Sequence, residues 1–112
     1  MRAIELGKVI GERALVIRHE GRTIPLVVQI GTPQIAPDGE DWFCPWQIVV
    51  DGIGRLRYAA GVDAVQSLDL VTRMIDADLF LLNDQHGGGL CWPDGPSYFR
   101  VPDPGSRTAR GL

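Results

Sequence analysis

The run Gly61-Val62-Asp63-Ala64-Val65-Gln66-Ser67-Leu68 begins a helical pattern and constrains the fold of this chain more than any other feature. Asp63 fits the N-cap position, where its carboxylate accepts hydrogen bonds from free backbone N–H groups, and Gln66 occupies the position of a capping-box partner. The helix is predicted to run to about Asn83, because the glycines of His86-Gly87-Gly88-Gly89 are typical of a helix C-terminus. Since apolar runs of β type precede this helix, the sequence predicts an α+β domain.

The predicted sheet is an antiparallel meander of four to five strands, packed against the one long C-terminal helix. Between Thr23 and Gly31 apolar residues recur at every second position, which is the clearest strand pattern in the chain. Asp51-Gly52 is a favoured type I′ hairpin turn, and Gly21 allows a turn after Glu20. Pro25 cannot donate to a ladder, so we expect its strand to begin at a sheet edge or a bulge. The predicted strands are Ile4–Ile10 with Gly7 as a bulge, Arg13–Glu20, Thr23–Gly31, Phe43–Val50 and Arg55–Ala60, and the residues Pro33–Asp41 form a long connecting loop.

Two apolar stripes run along the predicted helix when its residues are placed about 100° apart. The first stripe is expected to lie on the sheet and consists of Ala64, Leu68, Val71, Ile75, Leu79 and Leu82. The second stripe lies beside it, separated by Ser67 and Asp78, and consists of Leu70, Met74, Ala77 and Leu81. One sheet does not need both stripes, so the second is the candidate protein interface. Asp78 and Asp84 rim this interface, Phe80 extends it at the far end of the helix, and the flexible thioether of Met74 suits an adaptable surface.

The segment after the helix decides whether the second stripe stays open. Leu90–Phe99 contains the remaining large apolar side chains and is broken by prolines and glycines. This short, irregular segment is expected to fold back over the helix or to add an edge strand. If the segment covers the second stripe, the chain follows the rule that monomers rarely expose contiguous apolar patches. The domain is predicted to span residues 1–101, and residues 102–112 are predicted to be a flexible tail.

Composition and charge exclude several classes of function. The chain of 112 residues has the size of one domain, and its net charge of −3 argues against nucleic acid as a partner. No apolar stretch approaches the ~20 residues of a membrane span, and the first residues do not form a signal peptide. Cys44 and Cys91 lack the spacing of a metal site, so reduced, partly buried thiols in a cytoplasmic protein are the simplest interpretation.

No motif in the chain predicts an enzyme. His86-Gly87-Gly88-Gly89 has the composition of an esterase oxyanion loop, but the chain lacks the Gly-x-Ser-x-Gly nucleophile elbow that this chemistry requires. Gly52-Ile53-Gly54 precedes a strand instead of a helix and is therefore no dinucleotide fingerprint. The acidic residues of the loop 38–41 lack the alternating order of a calcium loop. The sequence predicts no catalytic residue, cofactor or metal.

Three short motifs resemble a family of small bacterial proteins of unknown function. The motifs are Cys44-Pro45 leading into a strand, the helix start at Gly61–Leu68, and Leu90-Cys91-Trp92 as a closing Leu-x-Trp segment. The similarity covers roughly residues 27–101, with Ser67 where the family usually has Ala and with more proline in the closing segment. The resemblance implies a bacterial cytosolic domain without a known activity, and small neutralising, immunity-type proteins are comparable in architecture.

These observations favour a non-enzymatic protein-binding or regulatory module, immunity-like in kind, that acts through its helix face. The partner is either another protein or a second copy of the chain, and the acidic helix favours a basic partner. A self-associating structural domain without a separate ligand, for example a homodimer, is the alternative, because two-fold pairing would also occupy the second stripe. An enzyme is the least favoured class, because catalysis requires clustered titratable side chains and those of this sequence are scattered.

Overall fold

The computed structural model describes residues 5–99, which form a six-stranded antiparallel sheet and one long helix. The α+β fold predicted from the sequence is therefore confirmed. In chain order the elements are β1 Val9–His19, β2 Arg22–Gly31, β3 Gln34–Ile35, β4 Trp42–Val50, β5 Ile53–Gly61, α1 Ala64–Gln85 and β6 Leu90–Cys91.

The long strands form the predicted meander. The strand order across the sheet is β5-β4-β2-β1-β6, and the short strand β3 pairs with β4 beyond the end of β2. Strand β3 lies inside the segment Pro33–Asp41, which was predicted to be a loop throughout. Strand β6 pairs with Val16 and Ile17 of β1, so the segment after the helix adds an edge strand on the side of the sheet opposite to β5.

Both predicted hairpin turns are confirmed by their backbone angles. Glu20 and Gly21 have φ of 52° and 76°, and Asp51 and Gly52 have φ of 51° and 81°. Two consecutive residues with positive φ are the signature of a type I′ turn, whose twist matches that of the flanking strands. The second turn sets the register of β4 against β5, in which Val50 lies opposite Ile53.

Two predictions about the first strands are wrong. The predicted strand Ile4–Ile10 is not a separate strand: its last two residues begin β1, Val9–His19, which continues through the predicted strand Arg13–Glu20 and shifts its register against β2 between Val9 and Gly11. Gly7 precedes this strand with φ of +63°, and Ile4 lies outside the described residues. Ile10 is the extra residue at this shift, because Val9 lies opposite Gly31 and Gly11 opposite Ile30, and the strand continues through the bulge.

Pro25 lies in an interior strand, not at the predicted sheet edge. In a two-residue hairpin, hydrogen-bonded and non-bonded residue pairs alternate, starting with a bonded pair at the turn. Pro25 lies opposite Val16 in a non-bonded pair, so its nitrogen points away from β1 and towards β4. The ladder between β2 and β4 begins only at the next residue, Leu26, which lies opposite Val50. The missing N–H of Pro25 thus lies at the end of the ladder, where the Pro25 carbonyl still accepts from the backbone N–H of Asp51 at 2.9 Å.

The helix begins as predicted and runs two residues further. The Asp63 carboxylate accepts a hydrogen bond from the N–H of Gln66 at 2.7 Å, while the Gln66 side chain accepts from the N–H of Val62 at 2.8 Å. The helix ends at Gln85, and the N–H of Gly88 donates to the carbonyl of Asn83 at 2.7 Å. Since Gly87 and Gly88 both have positive φ, the glycine run is a helix C-terminus, as predicted.

The core lies between the helix and one face of the sheet. Val71, Ile75 and Leu79 of the predicted first stripe are buried, but Leu68 is half-buried and the neighbouring Ser67 is 0% exposed. The helix is thus turned towards Ser67, which was predicted to separate the two stripes. The other core side chains come mainly from the sheet: Leu15, Ile17, Leu26, Val28, Cys44, Trp46, Ala59 and Leu90.

The opposite face of the sheet has no helix over it within the described residues. Strand alternation places Val16, Val27 and Val49 on this face, and each is half-buried. Beside them the Gln47 side chain donates to Gln29 at 2.7 Å, and Gln29 donates to Glu12 at 2.8 Å. This row of polar bonds crosses three strands and supplements their backbone ladders.

Candidate protein interface

One ion pair fixes which flank of the helix lies over strand β5. The Arg57 guanidinium of β5 donates to the Asp78 carboxylate, and it also lies 4.7 Å from the centre of the Trp46 ring. Trp46 is buried, and within residues 5–99 its Nε1 is the one buried side-chain N or O atom without a hydrogen-bond partner. Asp78 was predicted to rim the interface and to favour a basic partner. In the structure it neutralises an arginine of its own chain.

The second apolar stripe lies on the flank of the helix that carries Asp78. Leu70 and Met74 are half-buried and pack against the edge of the core, whereas Ala77 is exposed and Leu81 is 54% exposed. The stripe therefore starts at the core and becomes more open towards the C-terminal half of the helix.

The closing segment lies on the other side of the helix. Phe80 is 64% exposed and packs edge-on against Phe99, with ring centres 5.7 Å apart. Phe80 and Leu81 point about 100° apart, as consecutive helical residues do. Because β6 pairs with β1, residues 90–99 lie near the edge of the sheet furthest from β5. Phe80 therefore does not join the other five predicted interface residues.

Strand β5 has a free backbone edge next to the stripe. No described strand pairs with β5 on the side away from β4. In this two-residue hairpin the bonded pairs alternate from Val50 and Ile53, so the N–H and C=O groups of every second β5 residue point outwards. The residues with outward backbone groups are Gly54, Leu56, Tyr58 and Ala60. A row of unpaired backbone groups of this kind is a template for pairing with another strand.

The side chains of β5 divide by size along the strand. The first half carries Arg55, Leu56, Arg57 and Tyr58, and the second half carries only Ala59, Ala60 and Gly61. Tyr58 is 50% exposed on the open face and packs edge-on against Phe43 at 5.8 Å. Within residues 5–99 Arg55 has no ion pair. We call the outward edge of β5 together with Leu70, Met74, Ala77 and Leu81 the edge surface.

A groove opens on the opposite flank of the helix. It has a volume of about 540 Å³, and its floor includes Val28, Ile30 and Ile75. Arg13 lies at its wall and donates to the Tyr98 hydroxyl at 2.6 Å. The same guanidinium lies 5.4 Å from the centre of the Trp92 ring. The closing segment thus uses its aromatic residues to hold an arginine of β1, a role that the sequence pattern did not reveal.

Several polar residues have partners that sequence reasoning missed. His19, at the end of β1, is half-buried, with its Nδ1 3.0 Å from the carbonyl oxygen of His86. In the loop, the N–H groups of Glu40 and Asp41 donate to Asp38 and hold the pKa of its carboxyl below the usual range. These contacts join residues that are distant in sequence or depend on the exact path of a loop.

The two cysteines are free and buried. Burial raises the pKa of the Cys44 thiol, and its Sγ lies 3.4 Å from the carbonyl oxygen of Gly31. Among the described residues no cluster of three or more His, Cys, Asp and Glu side chains has an arrangement that could hold a metal ion. In the same part of the chain, no helix combines the length and the apolar character needed to cross a membrane.

Comparison with known proteins assigns most of the chain to a family. Residues 11–102 match the model of a family described as Domain of unknown function (DUF6968). The match covers the helix and all the described strands except the first two residues of β1. No curated protein and no solved structure matches the chain.

Proposed function

The chain belongs to this family of unknown function, and from its surfaces we propose that it is a non-enzymatic protein-interaction module that acts through the edge surface. The observation that carries this proposal is the coincidence of a free strand edge with an apolar helix flank on the same side of the molecule. The partner adds a strand to β5 and packs against the stripe above it.

The exposed apolar side chains support this assignment. Leu56, Tyr58 and Leu81 are each at least 36% exposed, and they lie on both sides of the β5 edge. Natural proteins usually protect an open edge with charges, proline or a covering segment. Here the closing segment lies at the opposite edge, and the charge of Arg57 is neutralised by Asp78. The edge is therefore left available for a partner.

A photo-crosslinking experiment in the native host tests the proposal. A benzophenone-bearing phenylalanine analogue replaces Tyr58 in one chain and Ala77 in another, because both positions are exposed. Val65 is the matched control, since it is 76% exposed and lies on the other flank of the same helix. We expect discrete crosslinked products from positions 58 and 77, and a much smaller yield from position 65.

The identity of the products separates the possible partners. The substitution Met74→Glu, added to the chain with the probe at 58, should reduce the yield at least several-fold if the helix stripe and the strand edge form one binding surface. Absence of product at both 58 and 77 from a folded chain would refute the interaction function. A product of twice the chain mass identifies a second copy, and a product with another mass identifies a different protein.

A further inference from the structure

We infer that the occupant of the edge surface is a second copy of this chain, whose β5 pairs antiparallel with β5 around a two-fold axis at Tyr58. The inference rests on the proposed function and names its partner. It follows from the side chains of β5, from their charges and from the position of the helix above them.

The size pattern of β5 makes the strand complementary to itself. Pairing centred on Tyr58 places Leu56 opposite Ala60 of the second copy and Arg57 opposite Ala59 of the second copy. Arg55 then faces Gly61 of the second copy. On either side of the central pair of tyrosines, each large side chain faces a small one, because residues 55–57 are large and residues 59–61 are small.

Charge and side-chain size disfavour the other two registers with long overlap. When two β5 edges pair, an outward-pointing residue of one strand must lie opposite an outward-pointing residue of the other. The two-fold axis must therefore pass beside a single residue of β5, and it cannot pass between two residues. Pairing centred on Arg57 places that residue opposite itself, and pairing centred on Leu56 places Arg55 opposite Arg57. Like charges directly opposite each other destabilise a sheet. Pairing centred on Tyr58 avoids both arrangements.

The same register gives Arg55 an acidic neighbour. Arg55 has no ion pair among the described residues. Opposite it lies Gly61 of the second copy, and Asp63 of the second copy follows two residues later. Asp63 is exposed, and its carboxylate caps the helix. An arginine at this position would attract that carboxylate across the interface.

The helix stripe lies level with the two-fold axis. A Cβ on Gly61 would lie 2.6 Å from the Ser67 nitrogen, and Arg57 pairs with Asp78, so the helix runs back along β5. Three strand residues from Gly61 to Tyr58 cover about 10 Å, which corresponds to about seven helical residues. Tyr58 is therefore level with Met74. The second apolar stripe, which the monomer leaves partly open, lies on the side from which the second copy approaches.

Engineered disulfides test both the partner and the register. Paired residues on antiparallel strands have Cα atoms about 5.5 Å apart, which a disulfide can span. With the axis at Tyr58, the variant Tyr58→Cys should form a disulfide-linked dimer under mild oxidation. The matched control is Leu56→Cys, because the two Leu56 positions of the dimer would be about 13 Å apart, beyond the reach of a disulfide. The native cysteines are buried and should leave the wild-type chain unlinked.

The solution mass and the crosslinking pattern decide between the outcomes. Light scattering of the wild type should give about twice the chain mass of 12.3 kDa, and circular dichroism should confirm that both cysteine variants are folded. Rapid linkage of Leu56→Cys with none for Tyr58→Cys would refute this register. A wild-type monomer at high concentration would refute the second copy as partner. In that case a heterologous photo-crosslink at position 58 would still support the proposed function, and its absence would refute that function as well.

Discussion

Arg57 shows how much a single residue organises on this surface. Its guanidinium covers the ring of Trp46 and pairs with Asp78, so it links β4, β5 and the helix. A cation over an aromatic face contributes on the order of 0.5–2 kcal/mol. Helical periodicity predicted that Asp78 lies beside the stripe, which is correct. Periodicity alone could not reveal that the facing strand supplies an arginine, because that depends on strand register and strand face.

The substitution Gly61→Ala tests whether the close approach of β5 to the first turn of the helix stabilises the fold. A Cβ at this position would lie 2.6 Å from the Ser67 nitrogen, which is backbone and cannot rotate away. Gly61→Ala should therefore lower the free energy of unfolding by about 1–3 kcal/mol, as overpacking does. The measurement is chemical denaturation.

Gly11→Ala is the matched control for this substitution. Its added Cβ would meet side-chain atoms of Ile30 only at 4.0 Å, an ordinary contact. We expect a change of stability of about 0.5 kcal/mol or less, as at most surface positions. Similar effects of the two substitutions would show that the close approach of Gly61 to the helix does not stabilise the fold.

The helix was the element that the sequence predicted best, and its rotation was predicted less well. Asp63, the glycine run and the apolar period together defined its two ends and its buried side. The pattern placed Leu68 at the centre of the sheet contact, whereas Ser67 is the residue that is completely buried. The reason is local: Gly61 has no side chain, so the first turn of the helix packs against β5 through a small residue, and the Ser67 hydroxyl donates to the Ala64 carbonyl.

Three substitutions in the helix measure this rotation. Leu79 is fully buried, so Leu79→Ala should lower the free energy of unfolding by about 2–5 kcal/mol. Leu68 is half-buried, and Leu68→Ala should cost clearly less. Asp69 is exposed and pairs only with Arg73 on the helix surface, so Asp69→Ala should cost a few tenths of a kcal/mol at most. Chemical denaturation ranks the three variants, and a larger loss at Leu68 than at Leu79 would contradict the observed orientation.

The strands that the sequence missed are those with little local signal. The hairpins were predicted because a type I′ turn and an alternating pattern are local properties. By contrast, β3 and β6 each contain only two residues and are stabilised by pairing with β4 and β1. A strand of that length has no readable period, so its existence depends on which edges the rest of the fold leaves open.

At the scale of the whole molecule, the sequence predicted one of the two parts of the candidate site, the helix stripe, but not the strand edge. The stripe of Leu70, Met74, Ala77 and Leu81 follows from helical period, because those residues are close together in sequence. The free edge of β5 is a consequence of strand order, which places β6 at the far edge of the sheet instead of beside β5. No local pattern contains that information. The structure places the strand edge beside the stripe and places Phe80 away from it, so the proposed interface includes the edge and omits Phe80.

Dimerisation through the edge surface should couple stability to protein concentration. A partner that binds only the folded chain stabilises it by mass action, so a tenfold rise in concentration adds about 1.4 kcal/mol per mole of dimer. Because two chains unfold together, this should raise the Tm by a few degrees. Differential scanning calorimetry over a hundredfold range of concentration measures the slope.

Leu56→Pro should remove this slope. The N–H of Leu56 points away from β4, so proline at this position deletes no bond of the β4–β5 ladder but blocks the outer edge. The variant Asp69→Ala, whose substitution lies on the outer face of the helix, should keep the wild-type slope. A wild-type Tm independent of concentration would contradict the dimer. An unchanged slope in a folded Leu56→Pro variant would show that the chains associate through a surface other than the β5 edge.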